Sequence, residues 1–305
     1  MTGSEIHLFG ATTPVGEAFR LACQFDDAIS KVFAYSRSPS DGDTEYHAVD
    51  LNKPSTFAPA GDLNHAKVWV SFAPIWSLSS FLARLSSDYP NLLLNMRGLI
   101  ACSSSSIVTK RFSVNNHDKE LFSRLERAER LILDTCNHLG VPCRILRPTL
   151  VYGQAGGYSD RNLSRLLQLL RSFPVLPIPA ITGLRQPIHA SQLASVALHF
   201  ANQLVASGSD MPLACRIPLG GDSVLSYAEM VRTLQQAQAC KDPARRCRLL
   251  PIPNRLFFLL ASPLLLWSPK AFEAVLRMGA NLSGFTPVHH ILGSEPQPFP
   301  VLPLS

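Results

Sequence analysis

The sequence predicts an α/β protein, built as a doubly wound parallel sheet with a smaller C-terminal lobe. Short β-branched or aromatic runs alternate with helical patterns through the first half, as in a parallel sheet covered on both faces. A glycine turn from Gly10 to Gly16 leads from the first strand straight into the first helix. After Tyr152-Gly153 the composition shifts toward Pro and Leu, which places a first domain over 1–153 and most of a second lobe over 154–305.

The expected strands are Ile6 to Phe9, Lys31 to Tyr35, Tyr46 to Val49, Lys67 to Phe72, Leu99 to Cys102 and Arg144 to Leu146. Helices are expected at Val15 to Gln24, Leu78 to Ser87 and Lys119 to Leu139, the last ending at Gly140 and Pro142 as helices commonly do. The second lobe starts with a helix over Asn162 to Ser172, followed by a proline-rich connector, Phe173 to Pro179. From Gly293 onward the tail is rich in proline and is expected to run extended along the surface.

Composition removes several classes of function. With 305 residues, 46% hydrophobic and 16% charged, the chain can bury a large core and is not disordered. Its longest apolar run, Leu256 to Trp267, is broken by Ser262 and Pro263 and falls short of the roughly 20 residues that cross a bilayer. No basic, apolar targeting segment precedes Ile6, so a cytoplasmic location is expected. The seven cysteines are scattered and never spaced C-x-x-C, which fits reduced thiols and neither a disulfide framework nor a metal site. The net charge of +6 is spread along the chain, with one local cluster at Lys241 to Arg248. Nucleic-acid binding would want a basic stripe with interleaved aromatics, whereas a small phosphorylated ligand suits this distribution.

The turn Gly10-Ala11-Thr12-Thr13-Pro14-Val15-Gly16 lies where backbone N–H groups and a helix N-terminus can face a pyrophosphate. It keeps the first and last glycines of a G-x-x-G-x-x-G pattern, but Thr13 stands where the middle glycine would allow closest approach. The alternative is a tight strand-to-helix turn with no ligand. After strand 2, Tyr35-Ser36-Arg37 replaces the acidic residue that would read a ribose 2′-hydroxyl. A hydroxyl and a guanidinium suit a 2′-phosphate, so NADP is favoured over NAD, with a solvated arginine as the alternative. Asp50-Leu51 after strand 3 lies either beside the adenine or in a cap for the next element. Phe72 and Ala73, at the end of strand 4, complete the expected cofactor set with Gly10, Thr12, Thr13, Val15, Gly16, Ser36 and Arg37.

Beyond these turns, three further segments resemble the extended short-chain dehydrogenase/reductase family, and in particular its NAD(P)-dependent nucleotide-sugar epimerases and dehydratases. They are Arg147-Pro148-Thr149-Leu150-Val151-Tyr152-Gly153, Gly183-Leu184-Arg185-Gln186-Pro187-Ile188-His189, and the stretch from Leu219 to Met230. The resemblance spans essentially the whole chain and implies a Rossmann-type fold, an NAD(P) cofactor and a nucleotide-sugar ligand. It also implies that Arg185 clamps a diphosphate, its planar fork binding two phosphoryl oxygens. Asn162 becomes either a ligand to the sugar nucleotide or a cap for the helix it opens, and His189 a core residue. A homodimer is left open.

The family's hydride chemistry relies on a tyrosine with a lysine one helical turn later, and on a serine or threonine after strand 5. In the run Ser103-Ser104-Ser105-Ser106, Ser104 aligns best with that hydroxyl and Ser106 next, with an ordinary loop as the alternative. None of the six tyrosines is followed four residues later by lysine. Anchored on Ala128-Glu129, the helix carries Leu121 and Leu125 at the Tyr and Lys positions. Candidate substitutes nearby are Lys110, Lys119, Glu120 and Arg124, with Tyr152 arriving from strand 6, Lys110 having a surface loop as its alternative. Three readings remain: an NAD(P)-dependent epimerase, dehydratase or oxidoreductase, a cofactor-binding or regulatory relative without turnover, and a scaffold that meets polysaccharide-assembly enzymes through Leu256 to Trp267.

Overall fold

The computed structural model describes residues 4–37, 46–62, 64–111, 116–206, 212–268, 272 and 275–301. The chain forms two compact units. The first holds 1–148, 154–158 and 190–219, and the second holds 149–153, 159–189 and 220–305. The first crossing thus falls close to residue 153, and residues 190–219 of the expected second lobe return to the first unit.

In the first unit the elements are β1 (Ser4–Phe9), α1 (Pro14–Cys23), β2 (Ile29–Ser36), β3 (Tyr46–Ala48), β4 (Lys67–Ser71), α2 (Ile75–Asp88) and β5 (Met96–Cys102). They continue with α3 (Ser106–Thr109), α4 (Asn116–Leu139), β6 (Cys143–Pro148), α5 (Ala190–Ala206) and β7 (Ala214–Gly220). The strands lie in the order β7-β6-β5-β4-β1-β2-β3, every neighbouring pair parallel. All six expected strands are present, each at most three residues longer or one shorter at an end. The order reverses between β1 and β4, and at such a switch point the strand carboxyl ends open a crevice for ligands.

Alternation along the strands assigns the two faces. Ile6, Leu8, Val68 and Val70 are fully buried on one, where α1 packs beside α5. So closely does α5 approach that a Cβ on Gly98 of β5 would lie 2.7 Å from Leu204. Phe9, Trp69, Phe81, Leu78 and Ile132 are fully buried on the other, beneath α2 and α4. Burying each such side chain contributes about 1.5–3 kcal/mol, so this aromatic layer is a main source of stability. The seven cysteines are all free thiols, four of them buried.

The second unit is built on the helix Asn162–Ser172 and the helix Tyr227–Gln236, which share a core with Tyr152, Leu170, Met230 and Phe299. Ser226 and Glu229 form a reciprocal capping box at the start of the later helix. Two expectations change here. The connector contains a strand, Val175–Pro179, paired in parallel with Arg248–Ile252. A two-stranded sheet leaves one edge of each strand without partners, so it tolerates Pro177 and Pro179. The tail is also anchored: Phe299 is buried against Tyr152 with ring centroids 5.1 Å apart, and its N–H donates to Ser223 Oγ at 2.9 Å. Residues 302–305 of that tail lie outside the described residues.

Candidate cofactor and active site

The glycine turn sits at the carboxyl end of β1, beside β4. Gly10 has φ +74°, and a Cβ there would lie 2.5 Å from Ala73 N and 2.8 Å from the Phe72 carbonyl carbon. At Gly16 a Cβ would fall 2.4 Å from the Gly10 oxygen. Both glycines are therefore required by packing between the turn, the helix and the end of β4. Phe72 and Ala73 support the turn from behind, the Phe72 ring lying 5.8 Å from that of Phe19, and Val15 is buried in the core.

Thr13 explains its own departure from glycine. Its extended backbone places it as the N-cap of α1, where Oγ1 accepts the Gly16 N–H at 3.0 Å and donates to the Gly10 carbonyl at 2.8 Å. Pro14 follows at the first helical position, where it has no N–H to offer an anion. Thr12 instead turns toward β2, its Oγ1 lying 3.3 Å from Ser36 Oγ. Arg37 is exposed beyond that hydroxyl pair. Asp50 closes its own turn by accepting the Asn52 N–H at 3.0 Å, which holds its carboxyl below the ordinary range, with Lys53 and Arg37 adding smaller pulls. Leu51 packs against the core.

After β5 the serine run is held by backbone bonds from Ser103 to Leu146 and from Ser105 to Pro148. Ser104 Oγ accepts the Ser106 N–H at 3.2 Å at the entry to α3, so both candidate serines take part in the turn. Lys110, expected in a surface loop if not catalytic, is buried and ion-paired with Asp118 at the start of α4. Leu125 is buried in the core and Leu121 packs against it, so the helix face aligned with the Tyr and Lys positions is apolar packing.

Sequence reasoning missed a buried charge cluster in the same unit. Glu129 is 1% exposed, accepts Ser103 Oγ–H at 2.6 Å, and is bridged by Arg147 at 2.5 and 3.0 Å and by Arg216 at 3.2 Å. It holds the serine loop, β6, β7 and α4 in register. One signal for it lies in the sequence: Leu125, Glu129, Ile132 and Cys136 share one face of α4, a carboxylate within an apolar stripe.

The remaining expected residues belong to the second unit. Tyr152 is buried against His189 and Phe299, its hydroxyl accepts the Val301 N–H at 2.9 Å, and burial pushes its phenol up to about 12. That environment opposes the phenolate a general base would need. Arg185 is corrected most plainly. Instead of presenting a fork to phosphate, its guanidinium is buried, donating to the carbonyls of Leu184 at 2.7 Å, Ala280 at 2.5 Å and Arg277, and lying 5.5 Å over Tyr227. Asn162 does not cap its helix. Asp160 does, accepting the Asn162 and Leu163 N–H groups at 2.8 and 2.7 Å, while the Asn162 side chain is exposed. His189 is a core residue, packed so that a Cβ on Gly153, at φ +102°, would lie 2.2 Å from its Nε2.

No protein-family model matches this sequence, and no curated protein matches it. Solved structures do. UDP-N-acetylglucosamine 4-epimerase from Bacillus cereus aligns with a TM-score of 0.58 at 15% identity, covering 99% of each chain. The UDP-glucuronic acid 4-epimerase from Bacillus cereus, solved in complex with NAD, aligns at 0.58 and 13% identity over 98% of this chain and 94% of that one. The human epimerase family protein SDR39U1, solved with NADPH, aligns at 0.62 and 15% identity over 97% and 95%. From end to end, the chain has the Rossmann-like fold of these epimerase structures.

Proposed function

We propose that the chain is an NAD(P)-binding protein of the nucleotide-sugar epimerase and dehydratase type, with the dinucleotide lying across the Gly10 to Gly16 turn. The observation that carries this reading is the turn itself, placed at the strand-order reversal between β1 and β4 and at the N-terminus of a ten-residue helix. The residues suit the cofactor in one respect and limit it in another. Thr12 and Ser36 put two hydroxyls beside the turn, with Arg37 beyond them, which fits a phosphorylated ribose. Thr13 and Pro14 withdraw two donors that a pyrophosphate could otherwise use. NAD(P) would supply hydride transfer, while this chain would bind and orient it through those groups. Solved relatives of this fold with NAD, NADPH or UDP-glucose support the cofactor and ligand classes.

A second reading, cofactor binding without turnover, is favoured by a specific observation. Leu121 and Leu125 are core packing, and Lys110 is tied to Asp118, so the residues that would move the proton are apolar or already engaged. Calorimetric titration with NADPH and NADH tests the cofactor. NADPH is expected to bind at least as tightly as NADH, with the difference shrinking in Arg37→Ala; absence of binding by either at millimolar concentration overturns the proposal. Incubation with deuterated cofactor and UDP-sugars separates the two readings. Label in the sugar establishes turnover, and its absence despite tight cofactor binding establishes the second.

A further inference from the structure

Most of the described apolar side chains of the helix Asn254–Ala261 and of the turn Leu264–Trp267 that comes after it are exposed. Leu256, Leu259, Leu260, Leu264 and Trp267 recur at intervals of three to four residues, apart from the adjacent Leu259 and Leu260, and are 48, 67, 63, 37 and 90% exposed. Phe257, between them, is the buried anchor. Asn254 exchanges two hydrogen bonds with the backbone of Ile181, which is itself 76% exposed, so the stripe extends onto the neighbouring loop. A run of large exposed apolar groups of this kind marks an interaction surface rather than chance exposure.

Charge around the stripe selects the partner. No acidic residue occurs between Asp242 and Glu273, and Asp242 is engaged by Arg171 at 2.8 Å. Arg245, Arg246 and Arg248 are exposed on the approach to the helix, and Arg255 is exposed on its first turn. Arg277 is exposed on the segment whose Gly279 packs against Phe258. Exposed leucines and a tryptophan, with exposed arginines in the same helix and in the sequence leading to it, are the composition of a segment that lies in the interface of a bilayer, apolar side in the acyl boundary and cations among the headgroups. Among the described residues, no helix is long and apolar enough to cross a membrane, so insertion would be shallow.

We infer that the surface formed by Leu256, Leu259, Leu260, Leu264 and Trp267 docks this protein onto the face of an anionic phospholipid bilayer. Such docking does not require a bound cofactor. Its test is flotation of the full chain with phosphatidylcholine vesicles, with and without phosphatidylglycerol. Partitioning is expected to be at least about tenfold stronger with the anionic lipid and to weaken as salt is raised. Trp267 emission should shift to the blue on vesicles, and Trp267→Phe should abolish that shift, since Trp69 is buried and Trp76 packs against the core of the first unit beneath Arg124. Leu259→Glu combined with Leu260→Glu should abolish flotation while leaving the circular dichroism and melting profile of the free protein unchanged, because both side chains are exposed. Failure of the folded wild type to float, or flotation undiminished in the double variant, overturns the inference. So does a dimer in size-exclusion chromatography that the double variant dissociates in the absence of vesicle binding, which assigns the stripe to a second copy of the chain.

Discussion

The hydroxyl of Thr13 donates to the carbonyl of Gly10 across 2.8 Å, closing the turn between β1 and α1 from inside. The same oxygen accepts the Gly16 N–H, so one side chain satisfies both an orphan donor of the helix and an acceptor of the turn. The residue that departs from the glycine pattern thereby supports the turn and also removes a donor that a phosphate would use.

The two effects are separable. Thr13→Ala should destabilise the chain by about 1 kcal/mol in urea unfolding, and Thr13→Ser should leave it near wild type, because the serine hydroxyl keeps both bonds. Thr13→Gly should cost only a few tenths of a kcal/mol while freeing the Gly16 N–H. NADPH should then bind up to about tenfold more tightly by calorimetry. Unchanged affinity in Thr13→Gly would show that the phosphates do not approach this end of the helix.

Lys110 and Asp118 form an ion pair that is almost fully buried. Removing either partner takes away the ion pair at a buried site, so Lys110→Met or Asp118→Asn should each cost about 3–5 kcal/mol by denaturant unfolding. The double variant Lys110→Met with Asp118→Leu should lose much less than the sum of the two. Were Lys110 a base at the reacting centre, Lys110→Met would instead lose turnover with its unfolding midpoint unchanged.

The features legible in the sequence were local. Strand alternation and the glycines at 10 and 16 each express a constraint over a few residues, and the structure has a strand or a turn at each. The polar contacts that decide the site are distant in sequence. Glu129 reaches Arg147 and Arg216 over separations of 18 and 87 residues, and Arg185 meets the carbonyls of Arg277 and Ala280 over 92 and 95. A guanidinium free for phosphate and one consumed by carbonyls read identically in a motif. The strand Val175–Pro179 is not legible in the sequence because proline is a sound signal against a central strand and a poor one against a two-stranded edge.

Arg185 gives a direct measurement of that distinction. Because its donors serve three backbone carbonyls in the second unit, Arg185→Met should cost on the order of 3 kcal/mol of stability, and Arg185→Lys should recover only part of it, since an ammonium lacks the planar fork. Affinity of the folded variant for UDP should stay within about twofold of wild type. A loss of tenfold or more in affinity with unfolding unchanged would restore the diphosphate clamp.

Burial of a histidine on β1 couples stability to pH. His7 is fully buried between Phe33, Tyr35 and Trp69, with Nδ1 3.0 Å from the Tyr35 hydroxyl, which itself accepts the Ala60 N–H at 2.9 Å. A neutral ring can accept the Tyr35 proton at Nδ1 while the tyrosine oxygen accepts the Ala60 N–H. Burial lowers the imidazole from its ordinary value of 6.5 to about 3, with the nearby Lys67 and His47 acting in the same direction. The folded value lies below the unfolded one, so the unfolded chain binds the extra proton first as the solution is acidified. Stability from this residue is complete above pH 6.5 and is lost progressively as pH falls from there toward 3. Between about pH 6.5 and 5 the loss should be about 2 kcal/mol. In His7→Asn, whose side-chain oxygen can still accept from Tyr35 and does not titrate, that part of the slope should vanish even if the variant is less stable throughout. The check is a set of urea unfolding curves from about pH 7.5 to 4.5 for both proteins; parallel slopes would show that acid destabilisation arises elsewhere in the chain.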